Sequence, residues 1–174
     1  MTATEAYEMI TQGGATDFAR VISLCESSGP YCLIGGLAVN CFVEPVYTLD
    51  ADLVVLSGNL RGLVDEFRLS GYAIETHAHS INVQSPSSDL RVQFTTDERY
   101  QPFPSRSEQR LVFGVPVRVA SIEDITQGKI WNWTDPQRRL SKRKKDELDL
   151  IRLAESYPEL KSLYPRQLLD IFTD

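Results

Sequence analysis

Two carboxylates and two glycines are the residues whose types and spacing most clearly suggest chemistry. Asp50 and Asp52 are separated by one residue, so in a strand their side chains share a face, with Cα atoms roughly 6.5 Å apart. Gly35 and Gly36 follow the short apolar run Tyr31–Ile34 and precede apolar residues at helical spacing, which predicts a strand-to-helix corner. Backbone N–H groups at such a corner can bind a phosphate.

The two aspartates would repel each other and resist burial unless a cation lay beside them. A divalent ion removes both difficulties, because Mg²⁺ and Mn²⁺ take carboxylate oxygens as ligands. Together with the glycine corner, this predicts a Mg²⁺- or Mn²⁺-dependent reaction at a nucleoside triphosphate. The alternative is a solvent-facing turn. Against it, the apolar run Leu53–Leu56 indicates that the strand after Asp52 is covered on both faces.

The residues Ile34–Ala38 followed by Thr48–Leu53 resemble the signature of the DNA-polymerase-β-like nucleotidyltransferase superfamily. Within it, the pattern most resembles small bacterial proteins related to the AbiEii-type toxins and the minimal nucleotidyltransferases. The resemblance implies an α/β (α+β) fold, with a nucleotidyltransferase-type mixed β-sheet flanked by helices and a C-terminal helical portion. It assigns Asp50 and Asp52 to metal binding and catalysis, and the glycine corner to phosphate binding.

The resemblance also implies an activity and its partners. The reaction would transfer a nucleoside monophosphate from a nucleoside triphosphate to a hydroxyl acceptor, which would be RNA or tRNA, a small molecule or a protein. For a toxin–antitoxin component, a cognate antitoxin protein would be a further partner. Mg²⁺, or Mn²⁺ in its place, would be the cofactor.

A lysine and an aspartate near the C-terminus match further positions of the AbiEii-like pattern. Lys129 lies in the apolar stripe of a helix predicted to begin after Ser121, so its ammonium must reach solvent or meet an anion such as a triphosphate or a catalytic carboxylate. Asp146 shares a helical row with Leu150 and Leu153 and is predicted to point inward, as a base or as a partner of another group.

The segment 135–156 is predicted to be a loop followed by a helix with a basic first turn. Lys142 and Arg143 belong to this turn, where positive charges oppose the helix dipole and require an anion. We interpret them as contacts to phosphate or to the acceptor, and a solvated basic face is the alternative.

One position departs from the superfamily pattern. The strand Leu90–Thr95 would be expected to carry a third acidic ligand, but the matching residue is Gln93. Glutamine supplies no negative charge, which argues against a two-metal mechanism. A catalytically weakened module that binds nucleotide or a partner protein is therefore the rival hypothesis. A dinucleotide-binding domain is a weaker one, because the G-x-G-x-x-G spacing is missing.

The whole chain limits these hypotheses further. With 174 residues and 42% hydrophobic content, it is expected to form one domain, with a sheet-containing core over 1–120 and a helical portion over 121–174. The net charge of −6 argues against a protein that coats nucleic acid. No apolar run is long enough for a membrane span, and the N-terminus lacks the features of a secretory signal, so we expect a cytoplasmic protein.

The remaining patterns predict the elements that position these residues. Further strands are predicted over Tyr72–Thr76, Ser80–Gln84 and Leu90–Thr95 as a meander, and a hairpin or edge strand over Leu111–Val119. Helices are predicted over Glu5–Thr11, Thr16–Ser27 and Asn59–Ser70, with a loop over Asp97–Arg110 and short helices over Tyr157–Asp174.

Overall fold

A computed structural model describes residues 1–173 and contains a mixed seven-stranded sheet flanked by helices. The strands are β1 (Tyr31–Ile34), β2 (Asp50–Val55), β3 (Ala73–Thr76), β4 (Ser80–Gln84), β5 (Arg91–Thr95), β6 (Glu108–Val112) and β7 (Val115–Val119). The helices are α1 (Ala3–Ile10), α2 (Gly14–Ser28), α3 (Gly35–Val39), α4 (Ser57–Leu69), α5 (Ile122–Thr134), α6 (Leu140–Ser156) and α7 (Arg166–Leu169). The predicted α/β class is confirmed.

The strand order, β3-β4-β5-β2-β1-β7-β6, puts β2 near the centre of the sheet. β2 runs antiparallel to β1 and parallel to β5. Through these pairings Asp52 lies opposite Ile34 on one side and opposite Gln93 on the other. The glycine corner after Ile34 and the side-chain amide of Gln93 on β5 therefore lie on either side of Asp52.

Burial along β2 explains why its aspartates lie at an opening. Leu53, Val54 and Val55 are buried, so this part of the strand is covered on both faces, as the apolar run predicted. On β5, Val92 and Phe94 are buried while their neighbours are more exposed. Phe94 packs against Phe67 of α4, with ring centroids 5.7 Å apart. One face of β5 thus lies in the core, and the other is left free for polar side chains.

The hairpin predicted over Leu111–Val119 exists, but its first strand begins earlier. β6 starts at Glu108, inside the predicted loop Asp97–Arg110, because pairing with β7 rather than an apolar alternation fixes it. The turn residues Phe113 and Gly114 both have positive φ, of 50° and 76°, which matches the twist of a tight hairpin. β7 is an interior strand between β1 and β6.

In residues 1–173, no helix combines the length and the apolar character that crossing a membrane requires.

Candidate active site

A cleft of about 190 Å³ opens where β1, β2 and β5 meet α5 and α6. It contains five of the residues predicted for function, namely Gly35, Asp50, Asp52, Lys129 and Lys142, whereas Gly36, Arg143 and Asp146 do not line it. Its other lining residues are Ile34, Gln93, Thr95, Tyr100, Phe103, Asp124, Ile125, Gly128, Asn132 and Arg138. Residues from distant parts of the chain are thus gathered around the two carboxylates.

Asp50 is held by two cationic side chains from different elements. Its Oδ1 lies 2.7 Å from Nε of Arg91 on β5, and its Oδ2 lies 3.3 Å from Nζ of Lys142 on α6. Arg91 is two residues before Gln93 and so projects from the same face of β5. Both carboxylate oxygens of Asp50 are therefore already in contact with positive charge.

Gly35 lies against the carboxylate of Asp52. Its φ of +71° is in the region that side chains disfavour. A Cβ at this position would lie 2.1 Å from Oδ2 of Asp52, far inside van der Waals contact. The position therefore requires glycine for its backbone angle and for the space that Asp52 occupies.

Replacing Gly35 by alanine is expected to displace the Asp52 carboxylate. We expect nucleotide turnover to fall about 100-fold, since a shift of about 1 Å in a reacting group costs that much, and stability to fall by at least about 1 kcal/mol. Gly36→Ala is the matched comparison, because its Cβ would meet Thr48 at an ordinary 3.5 Å. Urea unfolding and steady-state kinetics of both variants measure the effects, and equal losses in the two would contradict this role of Gly35.

Asp52 is partly buried at the base of the cleft, and its ionisation is unfavourable. Burial raises the pKa of Asp52 from 3.8 to about 6, although the positive charge of Lys129 opposes the shift; Asp50 adds to it. The folded protein therefore binds more protons than the unfolded chain between about pH 4 and pH 6. The contribution of Asp52 to stability therefore falls as the pH rises through this range, by up to about 3 kcal/mol.

Asp52→Asn is accordingly expected to stabilise the metal-free protein at pH 8 by about 1–3 kcal/mol, because it removes a poorly solvated charge. The gain should vanish near pH 3 and below, where Asp52 is largely neutral in both the folded and the unfolded state. Urea unfolding with a chelator at the two pH values measures the difference. Asp65→Asn, on the exposed side of α4, is the control. A pH-independent effect of Asp52→Asn would contradict the raised pKa.

Lys129 is held within a buried group of charges. Its Nζ lies 3.0 Å from Oδ1 of Asp146 and 2.8 Å from Oδ2 of Asp149, both on α6. Burial by itself would lower the pKa of the Lys129 ammonium. The negative charges of Asp149 and Asp146 outweigh burial, so the pKa lies above its usual value. Lys129 is therefore a fixed cation at the wall of the cleft rather than a side chain that extends into solvent.

Asp146 is almost fully buried, with 1% of its surface exposed. Besides Lys129, it contacts Nε of Arg138 at 2.6 Å, and Arg138 itself lines the cleft. Of the two roles predicted for Asp146, this geometry favours the partner of other charged groups over the base, since both of its oxygens are engaged by cations.

The carboxylates of the cleft suit one hard cation better than two. Asp50 and Asp52 supply oxygen ligands of the kind that Mg²⁺ prefers, and because burial raises the pKa of Asp52, its charged form would gain from a cation beside it. Asp124 also lines the cleft, but Nε and Nη2 of Arg106 engage its two oxygens, at 2.9 and 2.8 Å. Over the described range 1–173, no group of three or more His, Cys, Asp or Glu side chains is arranged to hold a metal.

Comparison with solved structures identifies the architecture. The antibiotic-resistance factor ANT(2'')-Ia, in complex with adenylyl-2''-tobramycin, superposes with a TM-score of 0.59 over 86% of this chain and 93% of that one, at 17% identity. The chain has the nucleotidyltransferase fold. A nucleotidyltransferase-like protein from Paracoccidioides brasiliensis matches with a TM-score of 0.53 at 19% identity, over 81% of this chain and 75% of that one.

A third similar structure is JHP933 from Helicobacter pylori, with a TM-score of 0.51 and 20% identity over 86% of this chain and 67% of that one. No protein-family model matches the sequence, and no curated protein matches it either. These similarities show the fold that the sequence motif implied, and membership of the superfamily and the AbiEii-type assignment stay predictions.

Some residues of the site were missed or misplaced by sequence reasoning. Asp149 is not among the residues that the sequence singled out, but it is buried against Lys129; its spacing of three from Asp146 is the available signal. That Arg91 lies on the same face of β5 as Gln93 could have been predicted, because the two residues are two positions apart in a strand. Arg143, predicted to act beside Lys142, instead borders a separate depression with Trp133 on the outer side of α6.

Proposed function

We propose that the protein is a metal-dependent nucleotidyltransferase that moves a nucleoside monophosphate from a nucleoside triphosphate to a hydroxyl acceptor. The observation that carries this proposal is the placement of Asp50 and Asp52 on one face of β2, where both line a cleft that also contains Gly35 and several cations. The nucleotidyltransferase fold of the chain supports it.

Asp50 and Asp52 would hold one Mg²⁺ or Mn²⁺ ion. When bound, the ion neutralises charge on the phosphates and on the two carboxylates. The pKa of about 6 for Asp52 means that protons compete with the ion below neutral pH. The two aspartates therefore have a metal-binding role and, through the ion, a catalytic one.

The other predicted residues would receive the triphosphate. Gly35 lines the cleft beside Asp52, and Gly36 follows it in the chain but does not line the cleft; the two would bind phosphate oxygens through backbone N–H groups. Lys142 lies at the opposite wall and brings a positive charge to within 3.3 Å of Asp50. Lys129, fixed by Asp146 and Asp149, contributes the field of a buried cation rather than a flexible contact.

The reaction requires the attacking and leaving oxygens to lie on opposite sides of the α-phosphorus. With the triphosphate on the β1 side, the acceptor hydroxyl would approach from the β5 side. A groove of about 340 Å³ runs there across β3, β4 and β5 and shares Asp50, Gln93 and Lys142 with the cleft. The hydroxyl oxygen would form the new bond to phosphorus, and pyrophosphate would leave with the electrons of the broken bond.

No nucleophilic side chain is needed for this transfer, because positioning and charge neutralisation account for most catalysis of this kind. RNA or tRNA, a small molecule and a protein hydroxyl all remain acceptor hypotheses. The AbiEii-type role and the antitoxin partner rest on the sequence motifs alone.

A module that binds nucleotide without turning it over is the second candidate, and Gln93 is the observation that favours it. Divalent-ion affinity separates the two functions, because the catalytic proposal requires an ion at Asp50 and Asp52. A binding module would retain nucleotide in the presence of a chelator, whereas the enzyme would release most of it.

The experiment that tests the proposal offers each of the four α-labelled nucleoside triphosphates, with Mg²⁺ or Mn²⁺, to the protein together with total RNA or with a metabolite extract. Label should enter an acceptor, or the protein itself, with at least one nucleotide. Absence of label together with absence of metal-dependent nucleotide binding would reject the enzyme.

A further inference from the structure

We propose that the site operates with a single divalent ion, and that the Lys142 ammonium supplies the positive charge that a second ion would otherwise bring. The inference rests on the proposed nucleotidyl transfer and specifies how its site is charged. Three observations carry it: the cations on Asp50, the amide of Gln93 beside Asp52, and the way in which α6 holds Lys142.

The first observation is that Asp50 lacks the free oxygens that a shared pair of ions would need. Arg91 and Lys142 contact its two different oxygens, at 2.7 and 3.3 Å. Each oxygen keeps one further lone pair, which suffices for one ion. A second ion only about 3.5–4 Å from the first would have to compete with the positively charged Lys142 for the same oxygen.

The second observation concerns the residue beside Asp52. Gln93 lies directly across from Asp52 in the register of β2 and β5, and it lines the same cleft. Its amide oxygen is a neutral ligand. A carboxylate and a divalent ion together carry a net charge of +1. A neutral amide and a lysine ammonium together also carry a net charge of +1. Gln93 and Lys142 together therefore give the cleft the net charge that an acidic residue and a second ion would give.

The third observation is that Lys142 is better placed for this role than Arg91. Lys142 belongs to the first turn of α6 and lines the cleft together with Arg138, which Asp146 anchors at 2.6 Å. The side chain of Lys142 is 36% exposed, whereas that of Arg91 is 58% exposed. Of these two cations, the more enclosed one, the Lys142 ammonium, contacts Asp50 and also lines the cleft.

The test counts bound ions without relying on turnover. Mn²⁺ is titrated by electron paramagnetic resonance into wild type, Lys142→Met and Gln93→Asp/Lys142→Met, each with the four α,β-methylene nucleoside triphosphates in turn. The nucleotide concentration is the same for every variant, so the Mn²⁺ that free nucleotide chelates does not affect the comparison between variants. We expect one Mn²⁺ per chain in wild type and in Lys142→Met. The double variant should bind two, with the spin coupling of neighbouring ions, because it regains a carboxylate and loses the competing ammonium.

The kinetic arm compares Lys142→Met with Lys144→Met. Lys144 is exposed on the same helix and pairs with Glu147 outside the cleft. Nucleotidyl transfer should fall about 100-fold or more in Lys142→Met, the usual loss when one charge-stabilising group is removed, and stay unchanged in Lys144→Met. Thermal melting of each variant verifies that it is folded.

Two coupled Mn²⁺ ions in wild type, a single ion in the double variant, or full activity in Lys142→Met would each overturn the one-ion proposal while leaving nucleotidyl transfer intact. A wild type that binds no Mn²⁺ with any nucleotide would reject the proposed function itself, and the one-ion proposal with it.

Discussion

Replacing Asp50 and Asp52 together by alanine is expected to reduce nucleotidyl transfer by about a thousandfold or more. The double change removes the oxygen ligands for the ion and leaves Arg91 and Lys142 without the carboxylate that they contact. Because transfer at phosphorus depends on charge neutralisation and alignment, little catalysis should survive. The measurement is the rate of label transfer from the preferred α-labelled triphosphate at saturating Mg²⁺.

Asp65→Ala provides the control for this double change. Asp65 forms an exposed ion pair with Arg68 on α4, so its loss should leave the rate unchanged and cost less than about 1 kcal/mol of stability. If the double variant retained a tenth or more of the wild-type rate, the metal-binding role of the two aspartates would be wrong.

The second large effect is expected for stability, on replacing Asp146 by alanine. Asp146 is buried between Lys129 and Arg138, so the change leaves positive charge in the interior with fewer partners. Removing one member of a buried ion pair typically costs about 3–5 kcal/mol. We expect the lower end of that range, about 3 kcal/mol, because Asp149 still contacts Lys129. Urea unfolding at pH 7 measures it, with the exposed Glu155→Ala on the same helix as control.

Asp146→Asn, made beside Asp146→Ala, distinguishes the two predicted roles of Asp146. As a partner that fixes Lys129 and Arg138, Asp146 should affect stability and activity together, and the pH profile of the remaining activity should keep its shape. A base would behave differently, because its replacement by asparagine would remove the acidic limb of the pH–rate profile at little cost in stability. That second pattern would contradict the arrangement described above.

The centre of the fold was predictable from the sequence because its signals are local. An apolar run followed by two glycines predicted β1 and the strand-to-helix corner after it. An Asp-x-Asp followed by apolar residues predicted that β2 is open at its first residues and covered on both faces along the rest. The meander of β3, β4 and β5 followed from alternation and turn residues. Each of these patterns spans a few residues and is set by period and by glycine.

The charge network of the site was harder to predict, because it depends on contacts between distant segments. Nothing local shows that Lys142 reaches Asp50, or that Arg138 turns towards Asp146. A basic helix start has the same sequence whether its side chains face a cleft or solvent, which is why Lys142 and Arg143 were grouped although only Lys142 lines the cleft. The early start of β6 was missed for a similar reason, since its partner strand, not its composition, fixes it.

The measurement that tests the central claim most directly compares two positions of the label on the same nucleoside triphosphate, with Mg²⁺ present and the acceptor mixture unchanged. Nucleotidyl transfer predicts that α-label enters the acceptor while γ-label is released as pyrophosphate, and that both events stop in Asp50→Ala/Asp52→Ala. Transfer of the γ-label to the acceptor, or release of either label that persists in the double variant, would contradict the account.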